Sequence, residues 1–286
     1  MYTISLNPLA TDFEIVYGGD EQEGNRALYQ QGLDEMIDHV MSTKNCFMIH
    51  MGDEQDAFWI DDPRYDIATT ITCPMRQQQV VIDRYLPMAK AGKLLGIHFG
   101  NHTKKLLNTV GNITEMTCER LSKESGIYVP YLGLMVTIEV ADKYGLMFKS
   151  FSTHGKKQVG SVAEPKTRRN LNMKIQLMRH LREKTGDCII MAKGHTHKLL
   201  AIEPEPELYI TVGKDGIKQH YTTREDFGTY IPPEHRWYFN TGSFLKTFGE
   251  GFDTYCEFAE YDPVELGYCK ATIRDRKVVK GEAIRV

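Results

Sequence analysis

Five turns in this sequence carry side chains able to bind a metal or move a proton, and each follows a short apolar run. They are GGDEQEGN with Asp20, HMGDEQD with Asp53, HFGNHT with Asn101 and His102, FSTHG with His154, and KGHTH with His195 and His197. Aspartate, asparagine and imidazole gathered in one place form a mixed oxygen and nitrogen site. That donor set suits Mn, Fe or Zn rather than an all-oxygen calcium cage or a thiolate zinc site. Each fragment alone has a plainer reading. Gly-Asp and Gly-Asn-His are ordinary turn sequences, and a His-x-His pair on a strand shares one face whether it binds a metal or only hydrogen-bonds. What points to one site is the recurrence of such residues after successive strands, with Gly19, Gly52, Gly100, Gly155 and Gly194 beside them to let the chain turn.

The elements that must position these turns are legible in the hydrophobic pattern. FEIVYGG, CFMIHMGD and KLLGIHFGNH read as buried strands. A helix with Leu33, Met36, Ile37 and Val40 on one face, capped by Asn25, separates the first two strands. A second helix around RQQQVVIDRYL, ended or kinked at Pro87, precedes the third. Such βαβαβ alternation implies parallel strands, and parallel sheets place sites at the carboxyl ends of their strands. Leu134, Val136, Ile138 and Val140 then alternate with polar neighbours as a half-buried strand, which YGLMFKSFSTHG pairs. A helix through RRNLNMKIQLMRHLREK leads into the strand DCIIMAKG, and the final third is strand-like, with a hairpin signal at Asp215-Gly216. The expected architecture is α/β, with two mixed sheets packed together and flanked by helices. One domain over 1–286 is anticipated, with a surface insertion at about 203–235 opened by EPEPE.

Charge and cysteine usage narrow the setting. A net charge of -3 predicts neither a nucleic-acid nor a membrane partner for the molecule as a whole. Its distribution is uneven, acid-rich over 1–66 and basic from Lys156 to Lys184, which suggests a cation site beside an anion site; solvated helix faces are the plainer account of most of these charges. Six scattered cysteines without C-x-x-C spacing read as buried thiols in a reducing compartment. No leader-like pattern is apparent at MYTISLNPLATDFE, and no apolar run is long enough to span a bilayer, so a cytoplasmic protein is expected, without a membrane partner.

Taken in order, the series D-x-(H), G-D, G-N-H, H and G-H-x-H resembles the calcineurin-like metallophosphoesterase superfamily. The match runs from Asp20 to His197, with YFNTGSF similar to the strand and turn that follow. The resemblance implies a four-layer αββα sandwich and a hydrolase of phosphate esters with two divalent metal ions, manganese first, with iron, zinc or magnesium as alternatives. It implies that Asp53 bridges the metals, that Asp20 and His197 complete one site, and that Asn101, His154 and His195 complete the other. His102 would give a proton to the leaving group or stabilise the transition state. Two departures stand out. Gln22 occupies the place of the first histidine and offers only a neutral amide oxygen, so that site would bind metal weakly, favour Mn or Mg, or recruit Glu23. Thr103 stands where an acidic residue often follows the histidine, so the group that orients His102 is not evident.

His50 and His98, inside strands, read as hydrogen-bonding partners rather than ligands. The substrate is a phosphoester, a phosphodiester or nucleic acid being one class. Lys156 and Lys157, just after His154, are its candidate binding residues as a cationic rim. The competing function is a metallophosphoesterase-like scaffold that binds protein partners without catalysis, and Gln22 adds a third reading, a single-metal phosphodiesterase. The sequence carries no signal for the oligomeric state.

Overall fold

The structure is a computed structural model that describes residues 2–6, 11–62 and 64–286. Residues 1 and 7–10, part of the N-terminal stretch considered above, lie outside the described residues. Along the chain, β1 (Tyr2–Leu6) and β2 (Phe13–Gly18) are followed by α1 (Gln30–Ser42), β3 (Cys46–His50), α2 (Pro74–Lys90) and β4 (Leu94–His98). Next come α3 (Ile113–Ser125), β5 (Tyr131–Gly133), β6 (Met135–Asp142), β7 (Gly145–Thr153), α4 (Lys166–Leu181) and β8 (Ile190–Lys193). The last part holds β9 (Leu199–Ile202), β10 (Leu208–Gly213), β11 (Gly216–Tyr221), β12 (Trp237–Thr241), β13 (Gly267–Arg274) and β14 (Lys277–Arg285).

Two six-stranded sheets result, ordered β14-β13-β2-β3-β4-β5 and β1-β6-β7-β8-β12-β9. In the first, β2, β3, β4 and β5 run parallel, as the βαβαβ pattern requires, and β13 joins antiparallel to β2. In the second, β7, β8 and β12 run parallel, with β6 antiparallel to β7 and β9 antiparallel to β12.

Side-chain alternation explains the layering. Phe13, Ile15 and Tyr17 of β2 face Val136, Ile138, Trp237 and Phe239 across the gap between the sheets. The intervening Val16, with Met48 of β3, faces Leu33, Met36 and Val40 of α1 and Val81 and Ile82 of α2. On the other side, Leu177 and Leu181 of α4 cover Met191 and Tyr238. Strands buried on both faces need apolar residues at nearly every position, which is why β2, β3 and β4 read as continuous runs. The αββα layering anticipated from the sequence is present.

Several local expectations change. Helix α1 begins at Gln30, because Asn25 is spent in the preceding turn, where its Oδ1 accepts the Ala27 N–H at 2.9 Å. Helix α2 continues three residues past Pro87, whose missing N–H falls in the last turn. Leu134 lies outside β6 and is exposed, and β1, which the pattern did not reveal, adds an edge strand parallel to β6. The β10–β11 hairpin forms with Gly216 at φ 99° and is exposed along almost its whole length. All six cysteines are free, four of them buried, with Cys73 exposed. Among the described residues no helix is long and apolar enough to cross a membrane.

Candidate metal centre

The carboxyl ends of β2, β3, β4, β7 and β8 bring five of the candidate turns to one place, with Asp53 in the middle. Its Oδ1 accepts the His102 backbone N–H at 2.9 Å, and its Oδ2 lies 3.2 Å from His154 Nε2. That same nitrogen is 2.9 Å from Asn101 Oδ1. The other His154 nitrogen, Nδ1, donates to the Met51 carbonyl at 2.8 Å, which fixes the ring and aims Nε2 inward. His195 joins edge-on, its ring centre 5.3 Å from that of His154. Asp53, His154 and His195 present ligand atoms all within 4.8 Å of one another.

Asp20 lies on the other side. Its Oδ2 accepts the His195 backbone N–H at 3.0 Å, and its Oδ1, 3.5 Å from His197 Nε2, is buried without a hydrogen-bond partner. Gln22 reaches the same histidine, its amide nitrogen 3.3 Å from His197 Nε2. Glu23, a proposed substitute ligand, is instead paired with Arg84 at 2.6 Å.

The local backbone shows how tightly these side chains are gathered. Asp20, Gln22, Asp53, His195 and His197 all have left-handed φ, between 50° and 75°. Each such residue costs on the order of 1 kcal/mol, and strain of this kind concentrates where geometry is imposed by function. A Cβ on Gly100 would lie 2.0 Å from Asp53 Oδ1, so only glycine lets the Gly-Asn-His turn approach the carboxylate. The YFNTGSF segment ties the turns down. Ser243 Oγ donates to the Asp20 carbonyl at 2.8 Å, and Asn240 Nδ2 to Thr196 Oγ1 at 2.5 Å.

Electrostatics follow from burial. Burial opposes ionisation of Asp53, yet the charges of His154 and His102 hold it well below the usual carboxylate range. Asp20 is lowered too, against burial, chiefly by His154 and His197. Burial disfavours the His154 imidazolium, but Asp53 and Asp20 outweigh it and raise the group to about 9. His195, by burial and by repulsion from His154, falls to about 4 and stays neutral. His102 is raised by Asp53 and Asp56 in spite of its burial.

Asp56 is the orienting group that the sequence did not reveal. Its backbone carbonyl accepts from His102 Nδ1 at 2.8 Å, its carboxylate lies 3.6 Å away, and Phe58 stacks on the imidazole at 4.9 Å. Thr103, by contrast, is bonded to Thr114 at 3.0 Å. A further buried network lies beneath the centre. His50 meets Glu21 at 2.8 Å, and the Tyr85 hydroxyl donates to the same carboxylate at 2.8 Å. Burial lifts the Glu54 carboxyl to about 7, with the Thr114 hydroxyl donating to it at 2.6 Å. Asp20, Glu21, Asp53, Glu54 and Asp56 are therefore all buried, and the solvated-face account of the acid-rich segment fails for them. His98 behaves as read. Its Nδ1 donates to the Gly133 carbonyl at 3.0 Å, and its other nitrogen is 2.8 Å from Ser152 Oγ.

A cleft of about 570 Å³ opens over the centre, walled by residues that include Arg64, Lys198 and Lys246. Lys156 and Lys157 are exposed and are not among its lining residues. The cations that face the cleft thus come from elsewhere in the chain, where sequence position gave no hint of proximity.

No protein-family model and no curated protein matches the sequence. Among solved structures, the chain is similar to the calcineurin-like phosphoesterase YfkN of Bacillus subtilis, at 15% identity over 95% of this chain and 89% of that one, TM-score 0.39. A metallophosphoesterase from Sphaerobacter thermophilus matches at 13% identity over 96% and 89% of the two chains, TM-score 0.35. A predicted phosphoesterase from Streptococcus pneumoniae matches at 11% identity over 97% and 99%, TM-score 0.32.

Proposed function

We propose that this chain is a metal-dependent hydrolase of phosphate esters that uses two divalent cations, manganese first, and an activated water. The observation that carries the reading is what surrounds His154 Nε2. That nitrogen faces two oxygen acceptors, Asp53 Oδ2 at 3.2 Å and Asn101 Oδ1 at 2.9 Å, so without a cation it must carry a proton. Donors that converge on one proton are equally placed to converge on a cation. The buried, unpartnered Asp20 Oδ1 fits the same account on the other side. Asp53, Asn101, His154 and His195 would hold one cation, and Asp20, Asp53 and His197, with Gln22, the other. Cations bound there would supply Lewis-acid stabilisation of a phosphate and of the attacking oxygen.

The remaining work falls to the chain. Asp56 and Phe58 hold the His102 ring, and Asp53 and Asp56 favour its protonated form, which can give a proton to a leaving oxygen; such help is typically ~10²–10⁴-fold. Lys198 and Lys246 draw an anion into the cleft. Lys156 and Lys157, outside it, would meet only an extended substrate such as a nucleic-acid strand.

A second reading rests on Gln22, whose amide already contacts His197 and could leave that side without a metal, giving a single-metal phosphodiesterase. One experiment separates these. Metal-stripped protein is assayed on an aryl phosphomonoester and a bis-aryl phosphodiester with Mn, Mg, Zn or nothing added, beside Asp53→Asn, and bound metal is counted. Metal-dependent turnover lost in Asp53→Asn, with two metals per chain, supports the first reading; one metal per chain supports the second. No turnover by folded, metal-bound protein turns the argument to a non-catalytic scaffold.

A further inference from the structure

We infer that Arg64 is a specificity-determining residue, binding a second anionic group carried by the leaving group of the ester being cut; this rests on the hydrolase reading above. The residue comes from the segment between β3 and α2, outside every motif that singled out the metal centre, and it shares the cleft with Asp53 and His102. Its guanidinium carbon lies 4.0 Å from the centre of the Phe58 ring, and that ring stacks on His102 at 4.9 Å with an interplanar angle of 23°. Phe58 thus touches both groups, stacked on the His102 imidazole and lying against the Arg64 guanidinium. The separations of 4.0 and 4.9 Å keep the guanidinium within about 9 Å of the imidazole.

The arginine is held ready rather than used up. Asp62 takes its Nε at 3.2 Å and its Nη2 at 3.3 Å, and also accepts the Arg64 backbone N–H at 2.9 Å. Lys105 pairs with Oδ2 of the same carboxylate. Two cations thus share one anion, leaving one net positive charge, with the third guanidinium nitrogen outside the pairing. The Arg64 side chain keeps 25% of its surface exposed, so a solute can reach it. The outward end of a guanidinium pre-oriented in this way suits a phosphate or carboxylate oxygen, and it is worth more than a free lysine because less motion is lost on binding.

Position decides which part of the substrate is read. If His102 protonates the leaving oxygen, the leaving group must lie against His102, and Arg64 stands close by, against the same Phe58 ring. An anion a few bonds from the scissile ester falls within that reach. The substrate class is therefore a phosphoester whose leaving group is itself anionic, as in a bisphosphate or a chain of phosphodiesters.

The test uses the full-length, metal-loaded protein and a matched pair of aryl esters, phenyl phosphate and 1,3-phenylene bisphosphate, or their methyl diesters if diesters are the class turned over. The ratio of kcat/KM between the two is compared in wild type, Arg64→Gln and Arg64→Lys, which cancels the intrinsic reactivity of each leaving group. Arg64→Gln should cut that ratio about tenfold, through KM, while the plain ester is turned over as before; Arg64→Lys should keep part of the preference. Unchanged activity on the plain ester also shows that the variant is folded. An unaltered ratio in Arg64→Gln, or an equal loss on both esters, overturns the inference and leaves the hydrolase reading standing. Failure of wild type on every ester overturns both.

Discussion

Metal binding should expel the His154 proton, and the size of the effect follows from the site. In the metal-free chain His154 donates from Nδ1 to the Met51 carbonyl, and its Nε2 faces Asp53 and Asn101, so both nitrogens carry hydrogen. Its pKa is raised to about 9, and a ligand must be neutral at the coordinating nitrogen. The sign is then set: lowering the pH favours the proton over the metal. Between the ordinary value of 6.5 and about 9, affinity should fall close to tenfold per pH unit. At pH 7.5 the cost of removing the proton is roughly 2 kcal/mol, or about 30-fold in Kd relative to the fully deprotonated site. His195, lowered to about 4, is already neutral and should contribute no proton. Calorimetric titration of Mn into stripped protein, in two buffers of different ionisation enthalpy, counts the protons released. About one per chain at pH 7.5, lost in His154→Asn, is the expected result. Release of no proton, or a Kd flat from pH 6.5 to 8.5, would refute the reasoning. The same linkage acts on stability. The metal-free fold gains from a protonated His154 fully below about 6.5 and loses that gain as pH rises through about 9, so its Tm should decline over that interval.

Two further outcomes bear on the site and on the scaffold beneath it. Gln22→His places an imidazole beside Asp20 and His197 and should tighten the weaker metal at least tenfold, seen as retention of a second equivalent through gel filtration; an unchanged stoichiometry would count against Gln22 as the weak point. Arg236 is fully buried and donates to the carbonyls of Arg182, Thr185, Gly186 and Ile231, and no acid pairs with it among the described residues. Arg236→Met should leave those acceptors unsatisfied and cost about 3 kcal/mol, lowering Tm by roughly 6–12 °C with little change in metal stoichiometry. A shift under 2 °C would mean that water replaces the guanidinium.

What the sequence determined is what depends on neighbours along the chain. Turn residues after apolar runs located Asp20, Asp53, Asn101, His102, His154, His195 and His197, because strand period and turn chemistry act over a few residues. The βαβαβ alternation likewise implied the parallel strands that set those turns at one end of a sheet. The tertiary structure decided everything that rests on distant pairing. Glu21 reads as one acid among many until His50 and Tyr85, 29 and 64 residues away, close over it. Asp56 becomes the partner of His102 only when β3 and β4 lie side by side, and Glu23 turns from a spare ligand into the partner of Arg84. Lys156 and Lys157 follow His154 in sequence yet stand outside the cleft, while Arg64, Lys198 and Lys246 enter it from remote segments. Local sterics and alternation are written in short stretches of chain, whereas burial, and with it charge state, depends on which surfaces the packed layers bring together.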